Sequence, residues 1–183
     1  MTNPRILFIG MAESIHLARW VNQLEGMGWD RFLFPVHSEK PHTELKNLTF
    51  INSAEIPWFQ KNRSLHYVHG KLPFFIMNEA NKFIQKRRGL TKSTIEPSAF
   101  LVHALASSIK RIRPDMIHSL EFQGAGYLTL EAKKTFQGKL PKWIATNWGS
   151  DIYLFGRLAE HRERVRAVLE NCDYYSCECE RDV

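Results

Sequence analysis

The sequence predicts an α/β protein with a doubly wound, mostly parallel sheet. Short apolar runs recur along the chain, segments with apolar residues at helical spacing separate them, and glycine or polar loops follow the ends of the runs. Strands that alternate with helices imply crossover units and a parallel sheet.

The elements follow in order. RILFIG (5–10) reads as a strand ending in glycine. In the segment after it, Leu17, Trp20, Val21, Leu24 and Met27 repeat at helical spacing, with Ser14 placed to cap the helix and Gly26 or Gly28 to end it. Residues 31–38 and 47–54 read as two strands, and Pro35 suggests that the later residues of the first lie near an edge or strand end. Residues 55–75 show no clear period and read as loop, with room for a short helical piece. Two amphipathic helices follow. One covers 75–89 and ends at Gly89; the other covers 96–114, with Pro97 in its first turn and Pro114 stopping it. The pattern continues with a strand at 116–120, a helix at 126–136, a strand at 142–146, a helix over about 156–171 and a last strand at 174–180.

Composition narrows the function classes. The 183 residues, 44% of them hydrophobic, suit a single domain spanning 1–183 with a sizeable core. No stretch approaches the ~18 consecutive apolar residues of a membrane span. The N-terminus has neither a basic leader region nor a small-residue cleavage site. The chain is therefore expected to be cytoplasmic. Cys172, Cys177 and Cys179 are odd in number and close together, which suggests reduced thiols; Cys177 and Cys179 lack the spacing of common zinc knuckles, and no metal is expected. His66 and His69 have no carboxylate beside them to complete a metal site.

The formal charge of +6 is concentrated in one place. Residues 57–92 hold Lys61, Arg63, Lys71, Lys82, Lys86, Arg87, Arg88 and Lys92 against Glu79, a local net of +7. An anionic partner fits this excess: lipid headgroups, phosphorylated small molecules or nucleic acid. A solvated surface helix is the plainer alternative. No nucleic-acid motif accompanies the charge, so nucleic acid is not the expected partner.

In a doubly wound sheet, ligands bind at the carboxyl ends of the strands, which singles out three loops. Loop 10–16 (GMAESIH) precedes a helix N-terminus of the kind that binds phosphates, but it has neither a dinucleotide fingerprint nor a P-loop lysine. His16 could donate to a phosphate or hydroxyl, or be a half-buried polar residue near a cap. Loop 120–126 offers Glu121 and Gln123 beside Gly124 and Gly126, groups that suit the hydroxyls of a sugar, or else form a plain glycine-rich turn. In loop 146–152, Trp148 supplies a flat face for sugar C–H groups, Gly149 admits a ligand to the backbone and Asp151 can accept hydroxyl hydrogen bonds. Capping of the next helix by Ser150 or Asp151 competes with that reading.

Four segments, RILFIGMAESIHLARWVNQLEGMGWDRFLFPVHS, IRPDMIHSLEFQGAGYLTL, KWIATNWGSDIYLF and VLENCDYYSCECERDV, resemble in order and spacing the N-terminal half of the group 1 glycosyltransferases. Those enzymes have the two-domain GT-B fold. The resemblance covers nearly all of the chain except about 55–95, and it implies a Rossmann-like domain, one half of a GT-B fold.

It also implies a function. The first loop of the family lies at the domain cleft near donor phosphate and acceptor, and it maps to Gly10, Met11, Ala12, Glu13, Ser14 and His16. Where many members carry a histidine near the transferred sugar, this chain has Trp148, followed by Gly149, Ser150 and Asp151. Tryptophan cannot do a histidine's proton chemistry, so its expected role is contact and exclusion of water. The C-terminal donor-binding domain is missing from these residues, and no catalytic residue is assigned to this half.

The expectation is therefore the acceptor-binding half of a retaining glycosyltransferase that moves a sugar from a nucleotide-sugar donor to a glycan or lipid-linked acceptor. Such a fragment would lack turnover of its own. Neither a cofactor nor a metal is implied. Residues 57–92 would face the acceptor and an anionic membrane surface, as a peripheral contact at the inner face of the cell membrane. The alternative is a stand-alone Rossmann-like domain that binds a nucleotide or phosphorylated ligand.

Overall fold

A computed structural model describes residues 2–37, 39–52, 63–69 and 96–180. The helix expected over 75–89 and most of the basic segment 57–92 lie outside these residues. In chain order the elements are β1 (Arg5–Gly10), α1 (Ile15–Asn22), β2 (Asp30–Pro35), β3 (Leu48–Asn52), β4 (Leu65–His69), α2 (Ala99–Ile112), β5 (Met116–Leu120), α3 (Tyr127–Thr135), β6 (Lys142–Thr146), α4 (Ala159–Asn171) and β7 (Tyr174–Ser176). A π-helical turn, Phe122–Gly126, joins β5 to α3, and a 3-10 turn, Phe155–Arg157, precedes α4.

These residues form a seven-stranded sheet in the order β4-β3-β2-β1-β5-β6-β7, and every pairing is parallel. The chain builds outward from β1 in one direction through β4, returns through α2 to β5 on the other side of β1, and builds outward again. This is the doubly wound α/β architecture that the alternating pattern predicts.

The sheet buries both faces, and β1 shows how. Its alternate residues Ile6 and Phe8 pack with Leu17, Ala18 and Val21 of α1, together with Leu33, Phe50 and Leu65. Leu7 and Ile9 point the other way, into a cluster with Val102, Leu105 and Ile109 of α2, Leu128 of α3 and Val165 and Val168 of α4. Strands buried on both sides read as continuous apolar runs, which is why RILFIG shows no polar alternation.

Local chemistry explains the boundaries. Ser14 Oγ accepts the His16 N–H at 3.2 Å and caps α1. Gly26 and Gly28, both at positive φ, lie in the turns after it. Arg31 is buried, and its guanidinium donates to the carbonyls of Val21, Lys46 and Asn47, tying α1 to the loop before β3.

Several boundaries differ from the sequence reading. β4 falls in the stretch read as loop; five residues hold it in register against β3, from Leu48↔Leu65 to Asn52↔His69. Pairing across the sheet, which no local pattern encodes, makes it a strand. Of the two readings of Pro35, the strand end holds: Pro35 closes β2, which lies between β1 and β3 and not at an edge. Pro97 stands ahead of the cap of α2, whose Ser98 Oγ accepts from the Leu101 N–H. The last strand stops at Ser176, so Cys177 and Cys179 lie beyond it.

Candidate functional site

Aligned strand ends gather the candidate loops along one edge of the sheet. Leu120 is in register with Thr146, and Thr146 with Ser176. The first amides beyond the strands continue the ladders: Val36 N donates to Gly10 O at 3.1 Å and Glu121 N to Thr146 O at 2.9 Å. β1 and β5 are neighbours, but the chain leaves them toward opposite faces, to α1 and to α3. The crevice between such diverging loops is the switch point at which open α/β sheets bind ligands.

Loop 10–16 sits in the middle of this crevice. A Cβ at Gly10 would collide with Leu17 Cδ1 and lie 3.3 Å from Leu120 O, so the close approach of β1 to α1 and β5 requires glycine. Ala12 is fully buried and Met11 partly so. His16 is exposed and meets Trp148 edge-on, with ring centroids 6.1 Å apart.

Glu13 reaches the other way, toward the end of β2. Its Oε1 lies 2.7 Å from Nδ1 of His37. That hydrogen bond raises the His37 imidazole above its ordinary range, against burial, with Glu121 and Glu39 adding to the effect. Burial pushes the Glu13 carboxyl up, but the His37 hydrogen bond and charge outweigh it and hold the group below the usual carboxylate range. Each shift favours the charged form of its group, so the contact is an ion pair whenever His37 is protonated.

The loop after β5 is braced by its own carboxylate. Glu121 adopts φ 78 and ψ 156, a conformation that side-chain-bearing residues rarely take. Its oxygens accept the N–H groups of Gly124 at 2.8 Å and Ala125 at 2.5 Å, which starts the π-helical turn. A Cβ at residue 124 would press on Glu121 Oε1, so Gly124 is required by the brace. Burial pushes the Glu121 carboxyl up to about 7, against these two hydrogen bonds.

Asp151 joins this loop to the next. Its Oδ2 accepts from Phe122 N at 2.9 Å and from Trp148 N at 2.8 Å, and the residue is 2% exposed. Burial pushes its carboxyl up to about 6. The capping reading fails for Asp151, because α4 begins eight residues later and the carboxylate is spent on the two loops. Ser150 is exposed and its carbonyl accepts from the Leu154 and Phe155 amides. Gly149 lies between it and Trp148, partly buried.

Among the described residues, four buried side-chain polar atoms lack a hydrogen-bond partner, and three belong to these loops: Glu13 Oε2, Gln123 Nε2 and Trp148 Nε1. Gln123 lies beside the Asp151 carboxylate without closing a hydrogen bond to it in good geometry. Buried polar groups are normally satisfied, so three orphans along one crevice mark a place where a ligand's polar groups fit. Two are donors and one is an acceptor.

His37 is the residue that the sequence reading missed. A strand drawn to residue 38 hides it, whereas β2 ends at Pro35 and leaves His37 on the crevice. A second histidine, His118, is structural: Nε2 lies 2.7 Å from Thr146 Oγ1, Trp20 meets its ring edge-on at 4.8 Å, and burial pushes it down to about 4.

Fold and crevice together define a Rossmann-like α/β domain of the GT-B type. The family model described as glycosyl transferase 4-like matches residues 5–177, and the chain belongs to that family. It is a glycosyltransferase domain. Among solved structures, a sucrose-phosphate synthase from Thermosynechococcus elongatus superposes with a TM-score of 0.51 at 13% identity, over 97% of this chain and 77% of that one. At that identity the likeness speaks for the fold. No curated protein matches the chain.

Proposed function

We propose that this domain is the acceptor-binding half of a retaining glycosyltransferase, and that the switch-point crevice holds the sugar or glycan whose hydroxyl receives the transferred residue. The observation that carries the reading is the set of three unpartnered buried atoms, Glu13 Oε2, Gln123 Nε2 and Trp148 Nε1, on the loops at the strand ends. A sugar hydroxyl both donates and accepts, so it satisfies an orphan carboxylate oxygen and an orphan N–H alike. Sugar C–H groups pack on an aromatic ring. Membership in the glycosyl transferase 4-like family supports the same chemistry.

The roles follow from position. Trp148 is the platform and, through Nε1, a donor. Gln123 is a second donor and Glu13 the acceptor. Glu121 and Asp151 are positioning residues, because their oxygens hold the loops by backbone amides. The donor nucleotide sugar is assigned to a second domain, and transfer depends on it. Retention of configuration, a metal-free reaction and a glycan or lipid-linked acceptor rest on the family resemblance.

The test uses the chain alone. Neutral oligosaccharides should change its tryptophan fluorescence, and Trp148→Ala should abolish the change in a variant that far-UV circular dichroism shows to be folded at the assay temperature, although the lost core contact lowers its thermal midpoint. The purified chain should not turn over nucleotide sugars. Saturable binding that is indifferent to Trp148→Ala would remove the crevice from the account.

A further inference from the structure

The inference deepens the acceptor-site reading and rests on it. Glu13 and His37 arrive from loops on adjacent strands and meet at 2.7 Å on the β2 side of the crevice, opposite Trp148 on the β6 side. Glu13 spends one oxygen on His37 and leaves the other buried and unpartnered. We propose that the Glu13–His37 pair is a specificity determinant that receives an uncharged sugar hydroxyl and turns away an acceptor carrying a phosphate or other anionic group.

The charge inventory argues for this selectivity. His37 commits Nδ1 to Glu13, and with its imidazole protonated the pair is neutral overall. Glu39, and Glu121 when ionised, act electrostatically on His37 and add negative charge. Loops 10–16, 121–124 and 147–151 contain no lysine or arginine, and Lys40 beyond Glu39 is exposed. Among the described residues of these loops, a phosphate entering here would meet the second Glu13 oxygen with His37, already paired to Glu13, as the cation beside it, and juxtaposed like charges are strongly unfavourable. A hydroxyl donating to Glu13 Oε2 supplies the bond that the oxygen lacks. Phosphate recognition ordinarily uses guanidinium forks, lysines or a free helix N-terminus. At α1 that terminus is occupied in part by Ser14, and Glu13 stands immediately before it.

His37 is then a positioning residue with a pH signature. It is protonated below its raised pKa, and Glu13 is ionised above its lowered one. Neutral-sugar binding should be strongest between these two points and weaken as pH rises past the His37 titration.

The experiment compares two probes by calorimetry, a neutral oligosaccharide and the same oligosaccharide with a phosphate monoester on its terminal residue. The parent chain should bind the neutral probe at least about tenfold more tightly, a difference of ~1.4 kcal/mol. Glu13→Gln, which keeps the shape and removes the charge, should shrink that ratio severalfold. His37→Gln should weaken neutral binding and erase its alkaline fall. Glu13→Ala is the control for shape. If Glu13→Gln leaves the ratio unchanged while Trp148→Ala abolishes neutral binding, the pair has no such role and the acceptor site stands. If the parent prefers the phosphorylated probe, the selectivity is overturned. If neither probe binds and Trp148→Ala changes nothing, the acceptor-site reading falls and this proposal with it.

Discussion

Asp151 Oδ2 receives the backbone N–H of Phe122 at 2.9 Å, and with it the loop after β6 is fastened to the loop after β5. The same oxygen takes the Trp148 N–H at 2.8 Å, so one buried atom sets the spacing between the indole and the π-helical turn. Asp151→Ala strands two buried donors, each costing about 1–3 kcal/mol. Asp151→Asn retains a carbonyl oxygen in that place and should cost much less. Urea denaturation of the two variants checks the order, and equal losses would contradict the brace.

The carboxyls of Glu121 and Asp151 give the fold a pH dependence of definite sign. Both are raised in the folded state, to about 7 and about 6, by burial. Such groups stabilise the fold fully below their unfolded values, and the contribution is lost as pH rises through the folded ones. Stability should therefore decline between about pH 4 and 7 on account of these two residues. Asp151→Asn should flatten the decline in thermal melts across that interval; a steeper decline in the variant would contradict the assignment.

Ser14 caps α1 at the base of the first loop. Ser14→Ala should cost ~1 kcal/mol. Because the same turn carries Glu13 and His16, sugar affinity should fall as well. Measuring both on one preparation separates the effects: a stability loss without any change in affinity would mean that the turn is unimportant to the crevice.

The net +7 of residues 57–92 predicts retention by anionic vesicles. At ~0.01 M salt the Debye length is about 30 Å, and at 0.15 M about 8 Å. Binding to phosphatidylserine vesicles should be strong at low salt and fall steeply toward physiological salt, with zwitterionic vesicles inert. Equal retention by both would rule out a headgroup-driven contact. Among the described residues, no helix is long and apolar enough to cross a membrane.

The sequence exposes the fold because a parallel sheet leaves continuous apolar runs such as RILFIG, and because Ser14 marks the start of α1. It hides β4, whose LHYVH becomes a strand only by pairing with β3. The site is half legible for a similar reason. Strand ends single out the three loops, and residue types such as Trp148 and Gln123 suggest sugar contacts, while Glu13 enters only through the family resemblance. Which carboxylates brace the loops is set by hydrogen bonds between distant residues, 29 positions apart for Asp151 and Phe122. The sequence offers Asp151 and Glu121 as ligand contacts, whereas the fold uses them to shape loops. His37 was obscured because the strand was drawn three residues past the end of β2 at Pro35, enough to move it from strand to crevice.

The most direct test of the central claim is a backbone-amide NMR titration of the chain with a neutral oligosaccharide and, separately, with a nucleoside diphosphate sugar. The account predicts that the oligosaccharide shifts the amides of 10–16, His37, 121–124 and 147–151 as one saturable set, and that the nucleotide leaves them nearly unmoved. Shifts of those amides by the nucleotide alone, with the oligosaccharide silent, would contradict an acceptor site and make the crevice a phosphate-binding one.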